Sequence, residues 1–129
     1  MAYEISNYSV KVTLVAGADL SSKQYTFVKL DSSGQAVAAA AATDIPIGVL
    51  QNAPTSGQEA EVLIVGGTKL VAGATIAIGN TLGTTSAGAA SVLTVTDTTK
   101  FVLGSAISGG ASADVITAVI NCANPTRAN

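Results

Sequence analysis

Residues 8–15 read Tyr8-Ser9-Val10-Lys11-Val12-Thr13-Leu14-Val15, with a large apolar side chain at almost every second place. A period of two sends Tyr8, Val10, Val12 and Leu14 to one side of an extended chain. Ser9, Lys11 and Thr13 go to the other, which is the pattern of a half-buried strand. In Gln24–Leu30, Tyr25, Phe27 and Lys29 oppose Thr26, Val28 and Leu30, so both faces of this strand read as partly covered. Asp31-Ser32-Ser33-Gly34 then marks a turn, because Asp and Ser accept bonds from nearby backbone N–H groups and Gly tolerates positive φ. Further strands are expected at residues 47–51, 60–65, 75–78, 91–95, 101–107 and 115–121. Turns are expected at 54–57, 66–67, 79–80, 86–88 and 108–112. Short strands at this spacing predict an all-β, mainly antiparallel domain, a small β-sandwich or barrel.

Helical signals are few. Ala36–Ala42 has helical propensity, but Thr43-Asp44-Ile45-Pro46 stops it, and so short a helix is marginal. The stretch reads as an extended arm or one helical turn. A faint internal echo runs through the rest. Ile47-Gly48 leads through a polar loop to Glu61-Val62-Leu63-Ile64, and Leu103-Gly104 leads through a similar loop to Asp114-Val115-Ile116-Thr117. Two hairpins of similar design produce such an echo without duplication, so both readings stay open at this point. A glycine inside a strand marks a bulge or a close backbone approach.

The composition narrows the function. The 129 residues are 48% hydrophobic but only 4% aromatic, with no Trp. Small and β-branched side chains suit flat pleated surfaces better than deep pockets. Charged residues make up 11%, against roughly 25% in an ordinary soluble domain, which points to a partner covering part of the surface, with a merely sparingly soluble domain as the alternative. The net charge is -2 and the Lys residues are scattered singly, so no basic stripe is available to track phosphates and nucleic-acid binding is not expected. The first residues lack the basic and apolar regions of a secretion signal. The apolar run Ala36–Ala42 is far too short to span a membrane. Synthesis in a reducing cytoplasm fits the single Cys122.

Chemistry-bearing groups are sparse. The sequence holds no His and one Cys, which excludes Ser-His-Asp and Cys-His nucleophile systems, His-containing zinc sites and Cys₄ clusters. Gly66-Gly67-Thr68-Lys69 has the composition of a phosphate loop without its spacing, and reads as a strand-to-strand turn. Glu59 and Glu61 stand two apart on one strand face and form the nearest approach to a carboxylate pair. A solvated strand entry explains them better than glycoside or calcium chemistry. Asp31–Gly34 lacks the later acidic ligands of a calcium loop. Cys122 has no cationic neighbour in sequence to lower its pKa and reads as a small apolar residue. No enzymatic activity, cofactor or metal is expected.

Residues 44–51, Asp-Ile-Pro-Ile-Gly-Val-Leu-Gln, precede Gly57-Gln-Glu-Ala-Glu-Val-Leu-Ile-Val-Gly-Gly67. Val71-Ala-Gly-Ala-Thr-Ile-Ala-Ile-Gly79, Thr81-Leu-Gly-Thr-Thr85, Ala87-Gly88 and the segment 104–120 follow. This series resembles the capsid cement (decoration) proteins of tailed bacteriophages over roughly residues 8–121. That family has a Pro-Ile-Gly-Val segment before a loop, an acidic-led strand, an Ala-Gly strand and a Thr-rich hairpin. The resemblance implies a β-rich, non-enzymatic virion protein on the outer capsid surface. It further implies a homo-trimer at three-fold or quasi-three-fold positions that clamps neighbouring copies of the major capsid protein. It supplies no catalytic residue, and the tail 122–129 departs from the pattern.

The expected organisation is a flexible N-terminal arm at 1–7, a β domain at 8–121 and a C-terminal tail at 122–129. In the arm, Tyr3 and Ile5 alternate across Glu4 as an added strand requires, so Tyr3, Glu4 and Ile5 are the expected partner-binding residues. Other β-rich readings are a tail, fibre or adhesin module, or a carbohydrate-binding domain. Three Tyr and two Phe make a poor sugar-stacking face.

Overall fold

The computed structural model describes residues 9–127. The strands are β1 (Val10–Val15), β2 (Phe27–Leu30), β3 (Ala36–Ala38), β4 (Gly48–Leu50), β5 (Glu59–Val71) and β6 (Thr81–Thr84). They continue with β7 (Ala90–Val92), β8 (Phe101–Val102), β9 (Gly104–Ala106), β10 (Val115–Asn121) and β11 (Thr126–Arg127). Nine of them form one sheet in the order β3-β2-β4-β5-β10-β9-β6-β7, with β1 also paired to β5. The ladders are antiparallel and the sheet curls into a half-barrel, so the all-β expectation holds. Strands β8 and β11 make a separate two-stranded ribbon. The described residues contain no helix.

Several local expectations change. Ala36–Ala38 is a strand, because the turn at Asp31–Gly34 folds it back onto β2 with Leu30 opposite Ala36. Asp31 Oδ1 accepts the N–H groups of Ser33 and Gln35, both at 2.9 Å, which closes this turn. Gly66-Gly67 is no turn: it lies inside β5 opposite Ile120 and Val119 of β10. The ladder supplies the hydrogen bonds that an isolated Gly-Gly pair would seek in a turn, so tertiary pairing overrides local preference. Residues 75–78 are not a strand. Ile76 makes an isolated bridge through reciprocal backbone bonds with Gly110, Ala77 is tied into a turn with Asn80, and Ile78 is 75% exposed. The strand expected at 91–95 ends at Val92, where Thr94 and Asp97 form a turn through a 2.7 Å bond. The β1–β5 register shifts between Val10 and Lys11, and Val10 is exposed where Val12 and Leu14 are partly buried.

The echo in the sequence is a structural duplication. Residues 10–65 form one unit and 66–121 a second, with β5 running through the junction. Strand β4 and the first half of β5 recur as β9 and β10, each 56 positions later: Gly48 against Gly104, Glu59 against Val115. The β2–β3 hairpin recurs as β6–β7, 54 positions later. Pairings recur with them: Val15↔Glu59 becomes Val71↔Val115, and Phe27↔Val49 becomes Thr81↔Ser105. The turns match as well. Thr85 Oγ1 accepts the N–H groups of Ala87 and Ala89, as Asp31 does for Ser33 and Gln35. A left-handed residue precedes the last strand of each unit, Gly57 in one (φ 84°) and Ala113 in the other (φ 73°). The acidic residues of the echo do not correspond, since Glu61 matches Thr117.

Two apolar clusters fill the interior. One lies within the first unit and gathers Leu20, Val28, Leu50, Ala60 and Val62. The other joins the units: Phe27, Val49 and Leu63 of the first pack with Leu70, Leu82, Leu103 and Ile116 of the second. Each large side chain so buried contributes about 1.5–3 kcal/mol relative to exposure, and the shared cluster makes the two units one domain.

Candidate interaction surfaces

Glu59 and Glu61 lie on the exposed face of β5, as their spacing requires. Their surroundings make them strand-edge groups. Lys11 pairs with Glu61 across the ladder at 3.6 Å, with both side chains about half exposed. The Asn52 side chain donates to the Glu59 carbonyl and accepts the Glu61 N–H, so it binds backbone and leaves no carboxylate in a pocket. The depression beside Glu59 is open to solvent and lined by Asn52, Pro54, Gly57 and Gln58. Among the described residues, no three His, Cys, Asp or Glu side chains converge on a point where a metal ion could sit.

Cys122 is buried in the shared core, and desolvation pushes its thiol up to about 12, so it stays protonated and unreactive at neutral pH. Its N–H donates to the Ile64 carbonyl, and Thr126–Arg127 pair with Phe101–Val102. Gly66–Lys69 forms no anion cradle. Thr68 Oγ1 accepts from Gln51 Nε2 at 2.9 Å, and the Lys69 ammonium lies 5.6 Å from the centre of the Tyr25 ring. Together these groups line a shallow cleft between the units. Asp31 spends one carboxylate oxygen on its own turn. Tyr3, Glu4 and Ile5 lie outside the described residues.

What the fold does present is surface. Val115 and Val119 project from one face of β10 at about half exposure, and Val71 stands opposite Val115 on β5. Across the register from Val119 come Ser105 on β9 and then Thr81 on β6, both exposed. The loop tips carry Ile78 and Val95, the latter 85% exposed. Small and apolar side chains on a pleated sheet make a flat face that fits protein contact and has no enclosure for a small molecule. Sequence reading missed this row because its members look unremarkable singly. The usable signal was the identity of Val15-Ala16-Gly17-Ala18 with Val71-Ala72-Gly73-Ala74, which reveals the repeat.

No protein-family model matches the chain, and the search of curated proteins finds no match. Among solved structures, the chain is similar to the N base of head fibre gp8.5 in bacteriophage phi29. The TM-score is 0.68 at 22% identity, over 88% of this chain and 95% of the other. The two share a fold. That protein is, by its description, part of a fibre on a phage head.

Proposed function

We propose that this chain is a non-enzymatic structural protein of a bacteriophage virion, seated on the outer capsid surface. The observation that carries the reading is the likeness to the phi29 head-fibre base across nearly the whole of both chains. The cement-family resemblance in residues 8–121 and the low charge support it. In this reading the chain forms a homo-trimer at three-fold or quasi-three-fold positions and clamps adjacent major capsid proteins, with Tyr3, Glu4 and Ile5 adding a strand to the capsid. Many modest contacts repeated over a shell resist rupture together. Electron cryomicroscopy of particles with and without the protein tests the location: density inside the shell or on the tail would remove it. Heat or osmotic shock tests the stabilising role, which equal resistance to DNA loss would remove.

The same likeness favours a second reading, in which the chain is the foot of a head appendage rather than a clamp. Density rising from the capsid above the β domain would select it, and density ending at the domain would select the clamp.

A further inference from the structure

The two units have the same fold but unequal surroundings, and the inequality has a direction. In the first unit, Phe27, Val49 and Leu63 form a cross-strand row that is at most 3% exposed. In the second, the same places hold Thr81, Ser105 and Val119, all exposed, Val119 at 48%. The first row is covered because the inner face of the second unit lies on it. Nothing among the described residues does this for the second row.

The opposite faces show the complementary deficit. Leu70 and Leu103 of the second unit are 0% and 1% exposed within the shared core, whereas their counterparts Leu14 and Ile47 are only partly buried. The hairpin turns repeat the asymmetry. The Gly88 carbonyl of the second unit accepts the Phe27 N–H at 2.8 Å, and Lys23 Nζ reaches the Ala87 carbonyl at 3.4 Å. The matching turn of the first unit is open: a Cβ built on Gly34 meets nothing within 4 Å, while one on Gly88 comes within 2.7 Å of the Phe27 carbonyl oxygen. The chain therefore contains one complete unit–unit contact and both halves of a second one, each half unfilled by the described residues.

We infer that a second copy of this chain fills them, head to tail. The turn Asp31–Gly34 and the Leu14–Ile47 margin of one copy dock on the Thr81–Ser105–Val119 row of the next, repeating the contact made within the chain. The contact is heterologous, so it closes into a ring or extends as a filament according to the rotation between units. The inference deepens the self-association proposed above but is drawn from the duplication alone. It stands or falls apart from the capsid role.

The test is a cross-link at the copied position. A Cβ on Gly88 comes 3.3 Å from Thr26 Cβ, close to the roughly 3.5–4.5 Å that disulfides span. The equivalent inter-copy pair is Gly34 with Asn80. In a Cys122→Ala background, Gly34→Cys and Asn80→Cys proteins mixed and gently oxidised should give a covalent dimer that neither gives alone. A dimer from one variant by itself would mean a symmetric contact and overturn the assignment. Sedimentation of the unmodified chain should show association that rises with concentration, and Val119→Lys, an exposed change, should shift it to monomer. A monomer at every concentration, or association unmoved by Val119→Lys, would also overturn it. Capsids decorated by copies that do not cross-link would leave the virion reading standing without this contact. Copies that link but ignore capsids would do the reverse.

Discussion

Gly48 and Gly104 hold the same place in the two units, and neither admits a side chain. A Cβ on Gly48 would come within 2.3 Å of the Leu63 carbonyl oxygen, and one on Gly104 within 2.2 Å of the Val119 carbonyl oxygen. In each case the obstacle is backbone of the neighbouring strand, which cannot rotate away. Gly48→Ala and Gly104→Ala should each cost about 3 kcal/mol, the upper range for overpacking, measured by urea unfolding. Gly34→Ala faces open space and only the left-handed penalty, so it should cost about 1 kcal/mol. Cys122 supplies a second residue-level test. Its pKa is raised from 9.0 to about 12 by burial, so above pH 9 the unfolded chain loses its proton while the folded chain keeps it. Stability contributed by the neutral thiol is complete below pH 9 and is lost as pH rises toward 12. Cys122→Ala should flatten that alkaline decline, and the native thiol should resist alkylation until the protein unfolds.

At the scale of the element, the turns are secured by one side chain each. Asp31 holds two N–H groups of the β2–β3 turn, and Thr85 holds the equivalent two in β6–β7. Asp31→Ala and Thr85→Ala should therefore destabilise by similar amounts, about 1 kcal/mol each, read from the shift in the urea midpoint. Asp44 closes the segment before β4. It accepts the Ala40 and Ala41 N–H groups and pairs with Lys29 at 3.0 Å. These bonds, led by that from Ala40, hold its carboxyl below the usual 3.8. A depressed folded pKa gives stability that is present above pH 3.8 and lost as pH falls through the lower folded value. Asp44→Asn should shrink the acid-induced loss below pH 4 in a pH series of thermal melts, and leave the slope between pH 5 and 8 unchanged.

For the whole molecule, the continuous β5 and the shared core mean that neither unit has a complete interior. Removing the second would bare Phe27, Val49 and Leu63; removing the first would uncover Leu70 and Leu103. The chain should unfold in one transition, with calorimetric and van't Hoff enthalpies equal. Two separable transitions would show that the units are independent. A repeat array needs its end faces either capped or joined to another copy. Among the described residues the first unit is open on one side and the second on the other, and that difference is what makes a directional assembly possible.

The sequence by itself determined the strand-and-turn grammar, the all-β class and the poverty of chemical groups. Alternation such as Val10–Val15 and Val115–Ile120 is local, and a chain without His carries its exclusions in its composition. Its pattern placed β10 at 115–121, because every second side chain there must enter or leave a core. Only the tertiary structure decided that Gly66-Gly67 runs straight through a strand, that Ala36–Ala38 pairs with β2, and that the faint echo is a duplication. Each depends on a partner distant in sequence: β10 beside the glycines, β2 beside the alanines, and the second unit against the first. The candidate surface was illegible for the same reason. Phe27, Val49 and Leu63 read as core from their chemistry, but Thr81, Ser105 and Val119 acquire meaning only from standing where those three stand, without the unit that covers them.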